Sequence, residues 1–446
     1  MDVSYGFLSV LPLILMIVLA VITKKVLEPV ILCTLLAFII SDKTNFFFAW
    51  ASALEAEVSN FAYFTLVFAS IGALIRLLMK SNSVIGFSRL LSKFIKSRRS
   101  ALMATWLAGI LVFADDFINS LGVGTSMRTL TDKYHVSREF LAYTINSTGA
   151  IVCVLVPMST WGAFLTSQFE KYPVTGSALS DYLHAIPYMF YCWAALLLVP
   201  LFIFRIVPLF GKMKQAELRA AGGQVFPDGC TQPAQETAEE DSVGHALDFI
   251  IPMLLFVVLG IYWGSIPNAI FVAIFSCAVL YLPRKIMTFG EFMDSIVEGV
   301  KDMVSVMMLL VFVFLLGTCC SNMGATEYIT SVLSPIMIPA ILPFATFLGV
   351  SLLAIGTGSF WGSAAIALPV FLELGAAAGA NPYHIFGAAA SAIALASHIS
   401  FWNDAVTVTC SACEIRNSDY AQTTTPLLII PFAVACIGYL IIGFMH

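Results

Sequence analysis

The chain has 446 residues, of which 59% are hydrophobic and 11% charged, with a mean hydropathy of +0.92 and a formal net charge of −5. Soluble globular domains carry about 25% charged residues, and apolar runs of roughly 18 to 22 residues recur along the whole chain, which excludes a soluble enzyme or nucleic-acid-binding module. The composition is that of an all-α polytopic membrane protein, with the lipid bilayer as its solvent.

In chain order, apolar spans are expected at 7–23, 26–40 and 58–79. The N-terminus lacks a basic n-region and a small-residue cleavage site, so the first run is expected to be retained as a span. A basic amphipathic segment covers 81–100, and after it comes the stretch that dominates the sequence, 101–137, in which Asp115, Asp116 and Asn119 interrupt membrane-grade sequence. The apolar arm before these carboxylates is about 14 residues, or ~21 Å, too short for a ~30 Å hydrocarbon core. The arm after them is shorter. The pattern predicts a helical hairpin that enters the bilayer, presents the polar group at its tip and leaves by the side it entered. Such backbone persists only where protein or a water-filled cavity covers it.

A long span at 139–169 is broken at Asn146-Ser147-Thr148-Gly149 and again at Pro157-Met158-Ser159-Thr160, and a further span covers 182–204. From 211 to 245 the chain is polar, with an acidic run at 236–241, and this linker divides it into halves. The second half offers spans at 247–263, 266–282 and 300–319, an amphipathic piece at 326–333, and an apolar hairpin at 341–374 centred on Gly356-Thr357-Gly358-Ser359-Phe360-Trp361-Gly362. A second broken span, 384–412, is interrupted around Ser397-His398 and Ser400 to Asp404, and 427–444 closes the chain.

The order of elements is the same in both halves. A shift of 241 positions places Trp161 on Trp402, Ser159 on Ser400, and Asp115 and Asp116 on Gly356 and Thr357. We therefore read repeats at 1–210 and 246–446, each with five spans and one re-entrant hairpin; the odd number of spans inverts the second relative to the first. About ten transmembrane helices plus two re-entrant hairpins result. With the N- and C-termini outside, every Lys and Arg except Lys43 and Lys171 lies on the inner side with the linker, as the positive-inside bias requires. If the 101–137 stretch crossed the membrane, Arg128, Lys133 and Arg138 would lie outside.

The candidate ion- or substrate-binding residues follow from these interruptions. Intramembrane carboxylates are expensive and mark ion pathways, which selects Asp115, Asp116 and Asp404. A carboxylate in a desolvated pocket exchanges a proton for a hard cation that prefers oxygen ligands. Asn119, Ser147, Thr148, Ser159, Thr160, Thr357, Ser359, Ser400 and Asn403 supply oxygens beside the helix breaks, either to an ion or to local backbone. His398 suits proton transfer or a hydrogen-bonded structural role. The ten cysteines are scattered in apolar runs and are read as reduced core residues. Cys410 and Cys413 have the spacing of a metal pair, but no second pair or neighbouring His completes a site. No Walker A sequence, Gly-rich nucleotide loop or soluble ATP-hydrolysing domain is present, so no nucleotide or cofactor is expected and an ion gradient would drive transport.

The run from Phe113 to Asp132, with Val136 to Tyr143 and Pro157-Met158-Ser159-Thr160-Trp161-Gly162, resembles the signature of the NhaC-type Na+/H+ antiporters. Gly356 to Gly362 is similar to that family's Gly-Thr-Ser-Trp-Gly segment, and Ser400 to Thr409 to its Ser-Asp-Thr-Thr segment. The resemblance implies membership of the ion transporter superfamily, with inverted repeats, a homodimeric scaffold and a transport domain that moves as an elevator. It implies Na+/H+ exchange in the bacterial inner membrane at Asp115, Asp116 and Asp404, with Na+ held by a subset of the candidate residues. The chain departs from the family where Asn146 replaces an Asp and where Phe401-Trp402-Asn403 and Ala405-Val406 flank Asp404. These departures, with the Trp161 and Trp402 pair, leave open an ion-coupled carrier of small organic acids or amino acids.

Overall fold

The computed structural model describes residues 5–23, 25, 27–92, 95–171, 173–228, 244–263, 265–325, 328, 338–357, 360–401 and 403–445. The acidic run at 236–241, most of the 326–333 piece, Gly358, Ser359 and Trp402 lie outside the described residues. Helices α1 (Phe7–Thr23), α2 (Leu27–Asp42), α3 (Phe46–Asn60) and α4 (Ala62–Lys80) come first, then α5 (Ser83–Ser92) and α6 (Arg98–Leu111). A short turn, α7 (Asp116–Ile118), runs through a π-helical turn at Asn119–Val123 into α8 (Gly124–Lys133). Next are α9 (Arg138–Leu155), α10 (Thr160–Lys171), α11 (Ala178–Ala185), α12 (Phe190–Ile203) and α13 (Gly211–Ala221). The second half contains α14 (Leu247–Trp263), α15 (Ile266–Tyr281), α16 (Phe289–Asn322), α17 (Leu342–Thr357), α18 (Phe360–Ala378), α19 (Pro382–Ile399), α20 (Asp404–Cys413), α21 (Asn417–Thr424) and α22 (Ile429–Phe444).

Among the described residues, six helical runs are long and apolar enough to cross a membrane: 27–60, 62–80, 138–169, 289–322, 339–357 and 360–378. Three bent pairs, α11–α12 (56°), α19–α20 (41°) and α21–α22 (56°), qualify when each is taken as one span. The protein is a multi-pass helical membrane protein. Several spans extend beyond the apolar runs seen in the sequence, because amphipathic ends continue helices past the hydrocarbon. α16, for example, begins at a Thr288–Glu291 capping box, eleven residues before the apolar core expected from 300. Each arm of the second hairpin is long enough to cross alone, whereas α6 is a 14-residue helix and is not.

Burial sorts the helices. All of α9 is buried, and so is α19 from His384 to His398, as befits helices without a polar outer face. The α6 arm packs against α9, as do α19 and α20, while α17 and α18 turn back on each other and pack against α19. The outer helices α14, α15 and α22 instead expose Leu254, Phe275, Ile437 and similar side chains, a face suited to lipid.

One close crossing fixes α4 on α16. A Cβ added at Gly72 would overlap the carbonyl oxygen of Gly299 and sit 2.7 Å from Met303 Cγ. One turn along, Arg76 Nε donates to Asp302 Oδ2 at 2.7 Å. Gly72→Ala must push two backbones apart, so we expect a loss of about 1–3 kcal/mol, read as a lowered melting temperature of the detergent-solubilised protein.

Candidate ion-binding site

The site is built where two helix interruptions repair each other. The last turn of α6 closes with Val112 N–H on the Ala108 carbonyl, and the chain then extends through Asp115 (φ −161°, ψ 145°). The second interruption, between α9 and α10, follows from Pro157, which removes a donor and disfavours helical geometry at Val156. Thr160 N–H donates to the Ala114 carbonyl at 3.0 Å, and Cys153 Sγ to the Phe113 carbonyl at 3.2 Å. Backbone groups freed at one break are thus satisfied by the other, as a buried irregular segment demands.

Asp115 and Asp116 are 6% and 3% exposed. Asp115 caps α7: its Oδ1 accepts from the backbone N–H of Phe117 (2.9 Å) and Ile118 (3.3 Å), and its Oδ2 from Thr160 Oγ1 (3.0 Å). Asp116 Oδ1 accepts from the indole Nε1 of Trp161 at 3.2 Å. Among the described residues no Lys, Arg or His forms an ion pair with either carboxylate. Asn119 Nδ2 donates to the carbonyls of Gly109 (2.6 Å) and Val112 (3.0 Å), tying the returning arm to the entering one. Its Oδ1 is buried without a hydrogen-bond partner among the described residues. The π-helical turn begins at this residue; such turns occur frequently at functional sites.

The second hairpin reaches the same place through rings. Trp161 stacks on Phe360 with centroids 3.6 Å apart and meets Trp361 edge-on at 6.2 Å. Its indole therefore links the start of α18 to Asp116. At the end of α17, Thr357 Oγ1 lies 2.7 Å from Ser363 Oγ, joining the two arms.

The other predicted residues divide. Asn403 caps α20 by accepting from Ala405 N–H at 2.7 Å, and two residues the sequence did not select, Ser120 on the π-helical turn and Thr409 on α20, meet beside it at 2.9 Å. Asp404, the first residue of α20, is exposed and has no hydrogen-bond or ionic partner among the described residues, although α20 packs against the 116–123 segment. Ser400 Oγ is buried and has no hydrogen-bond partner among the described residues. Ser159 and Thr148 satisfy backbone: Ser159 Oγ donates to the Cys153 carbonyl at 2.5 Å, and Thr148 Oγ1 lies 3.0 Å from the carbonyls of Thr144 and Ile145. Ser147 belongs to a separate buried network. Its Oγ is 3.0 Å from His398 Nε2, His398 Nδ1 is 3.0 Å from the Tyr191 hydroxyl, and Asn146 Nδ2 donates to the Tyr420 hydroxyl at 2.7 Å. Tyr191 and Tyr420 were invisible to pattern reasoning, since neither interrupts an apolar run with a charge or helix break. Cys410 and Cys413 are both buried and free.

Buried unpaired carboxylates at a junction of broken helices, inside a multi-pass bundle, define a secondary transporter. A model of the Na+/H+ antiporter family matches residues 177–444, more than half of the chain, and the chain belongs to that family. The matched stretch contains the second hairpin and second broken span; Asp115 and Asp116 precede it. An uncharacterized protein of Haemophilus influenzae is 24% identical over 491 residues, covering 100% of this chain and 92% of the relative. Among solved structures, the YdaH transporter of Alcanivorax borkumensis has a TM-score of 0.60 at 12% identity and covers 90% of each chain. MtrF of Neisseria gonorrhoeae, described as illuminating a class of antimetabolite efflux pumps, gives a TM-score of 0.46 at 12% identity over 89% of this chain and 84% of its own.

Proposed function

We propose that this transporter exchanges Na+ for H+ at the Asp115–Asp116 pair. The observation that carries the reading is the pair itself, two adjacent buried carboxylates that, among the described residues, receive hydrogen bonds only from neutral donors. Buried carboxylates without a basic partner require a compensating positive charge. A proton and a small hard cation are the two that fit, and because both take the same oxygens they compete. Asp115 is the fixed cap and Asp116 the exchanging group. The buried Asn119 Oδ1 and Ser400 Oγ are further oxygens for an ion, and Asp404 lies on an exposed approach. Na+ and H+ are cargo, and no cofactor is needed. The repeats at 1–210 and 246–446 are inverted, and the hairpins and broken helices move as an elevator against a scaffold of α1–α4 and α14–α16. That scaffold pairs with a second copy in the bacterial inner membrane, with both termini outside and the linker cytoplasmic.

The test is a pH dye trapped inside proteoliposomes, with Na+, Li+ or K+ added outside. Cation-driven alkalinisation of the lumen, as external cation enters and protons leave, supports exchange. If folded, inserted protein moves no protons with any of these ions, the reading fails, and uptake of labelled organic acids and amino acids tests the other cargo class. Within this reading, Trp161→Phe keeps the stack on Phe360 and loses the donor to Asp116. A hydrogen bond to a charged group contributes about 1.5–3 kcal/mol, so the half-maximal Na+ concentration should rise at least about ten-fold, with little change in melting temperature.

A further inference from the structure

A cavity of about 440 Å³ lies away from the carboxylate pair, at the end of the bundle where α10 finishes. Tyr63 and Phe64 of α4, Thr166 and Phe169 of α10, Leu179 of α11 and Ile266 of α15 line it. Its volume is in the range of small-ligand sites. Thr166 is 3% exposed, and its Oγ1 has no hydrogen-bond partner among the described residues. A buried hydroxyl without a protein partner calls for water or another polar occupant. This one stands in the wall of a cavity with room for several waters. Aromatic walls attract cations and not anions.

Both principal walls lead inward to the ion site. On α4, Phe68 stands one turn from Phe64 on the same face, and its ring meets Trp361 of α18 edge-on at 6.5 Å. On α10, Phe164 packs against Trp361 at 5.1 Å and Phe360 at 5.8 Å. Phe360 in turn stacks on Trp161, the donor to Asp116. Thr166 is six residues from Thr160, the donor to Asp115, or ~9 Å along the helix. Phe68 and Phe164 are fully buried, and hydrophobic constrictions of this kind close a water path by dewetting. We propose that the cavity is the outer vestibule of the transport path, where a hydrated small cation waits at Thr166, and that the rings of Phe68, Phe164, Phe360 and Trp361 are its gate. The contact between Phe68 and Trp361 joins the scaffold to the second hairpin, so movement of that hairpin parts the gate. The cation and the outer side rest on the exchange reading above; the cavity and the ring cluster do not.

Thiol labelling tests the vestibule without requiring exchange. Thr166→Cys is placed in a background carrying Cys230→Ser and Cys436→Ser, since the other cysteines are buried. Right-side-out and inverted membrane vesicles are treated with a membrane-impermeant, quaternary-ammonium methanethiosulfonate, and labelling is read as a mass increase of the intact protein. The introduced thiol should react in right-side-out vesicles. The attached charge should then slow cation-driven proton movement on the order of ten-fold, because it repels arriving cations. Thr166→Val keeps the shape and removes the hydroxyl, so the half-maximal Na+ concentration should rise about three-fold, with melting temperature as the check on folding. An unreactive thiol, labelling confined to inverted vesicles, or full exchange by labelled protein overturns the proposal, as does a half-maximal Na+ concentration unchanged in Thr166→Val. If the wild type moves no protons while the introduced thiol reacts in right-side-out vesicles, the exchange reading fails and the water-filled vestibule stands.

Discussion

Asp116→Asn should abolish cation-driven proton movement in proteoliposomes while leaving the protein folded and inserted. The amide has nearly the shape of the carboxylate, and its oxygen still accepts from Trp161 Nε1, so the link to the second hairpin survives. What disappears is the charge for which proton and cation compete. Asp115→Asn provides the contrast. Asn is as good an N-cap as Asp, and its oxygen still accepts from Phe117 and Ile118, so this variant should bind cation and exchange at a reduced maximal rate. Asp115→Ala, which removes the cap, should in addition cost about 1 kcal/mol of stability. Full exchange by Asp116→Asn, or loss confined to Asp115→Asn, would reverse the division of labour between the two carboxylates.

Arg138→Met should produce the largest loss of stability of any single substitution outside the site. Arg138 is 4% exposed at the start of α9. Its Nε and Nη2 donate to the two oxygens of Asp132 at 2.8 and 2.7 Å, and its Nη1 donates to the Cys413 carbonyl at 3.0 Å and to Glu414 at 3.3 Å. The guanidinium lies 4.5 Å over the ring of Phe226, and the Arg138 backbone N–H donates to the Val225 carbonyl. One side chain therefore joins the end of the first hairpin, the end of α20 and the chain that follows α13. Removing one partner from a buried ionic network costs about 3–5 kcal/mol, because Asp132 loses its only ion pair among the described residues. Thermal unfolding in detergent measures the loss. Arg138→Lys should recover only part of it, since an ammonium cannot reproduce the two-pronged contact with Asp132. A melting temperature unchanged in Arg138→Met would show that the network is not a keystone.

The same region shows what a linear reading misses. The stretch from 211 reads as a polar linker because its composition matches no span, yet α13 is docked: Arg219 Nη2 donates to both oxygens of Glu139 at 2.8 Å, and Glu217 Oε1 accepts from the N–H and hydroxyl of Ser137 at 2.9 and 2.8 Å. Polarity identifies a segment that leaves the bilayer but not one that packs beneath it. His398 is a parallel case. The sequence offers both a proton-transfer and a structural role, and the structure seats it between Ser147 and Tyr191, partners separated from it by 251 and 207 residues.

By itself the sequence determined that this chain lives in a bilayer, that its apolar helices are interrupted at 157–160 and 400–404, and that carboxylates stand at 115–116 and 404; the break expected at 146–149 does not occur, because α9 runs unbroken from Arg138 to Leu155, its polar side chains finding partners inside the bundle. Each of these is a local property, carried by hydropathy summed over about 20 neighbouring residues and by single polar residues costly enough in that setting to stand out. The tertiary structure alone decided what those residues do. Asp115 became a cap completed by Thr160 and Asp116 the partner of Trp161, each across 45 residues, while Ser120 met Thr409 across 289. Buried polar groups must find donors and acceptors wherever the packing brings them, and in a bundle of broken helices those partners come from helices distant in the chain, whose meeting no local pattern encodes.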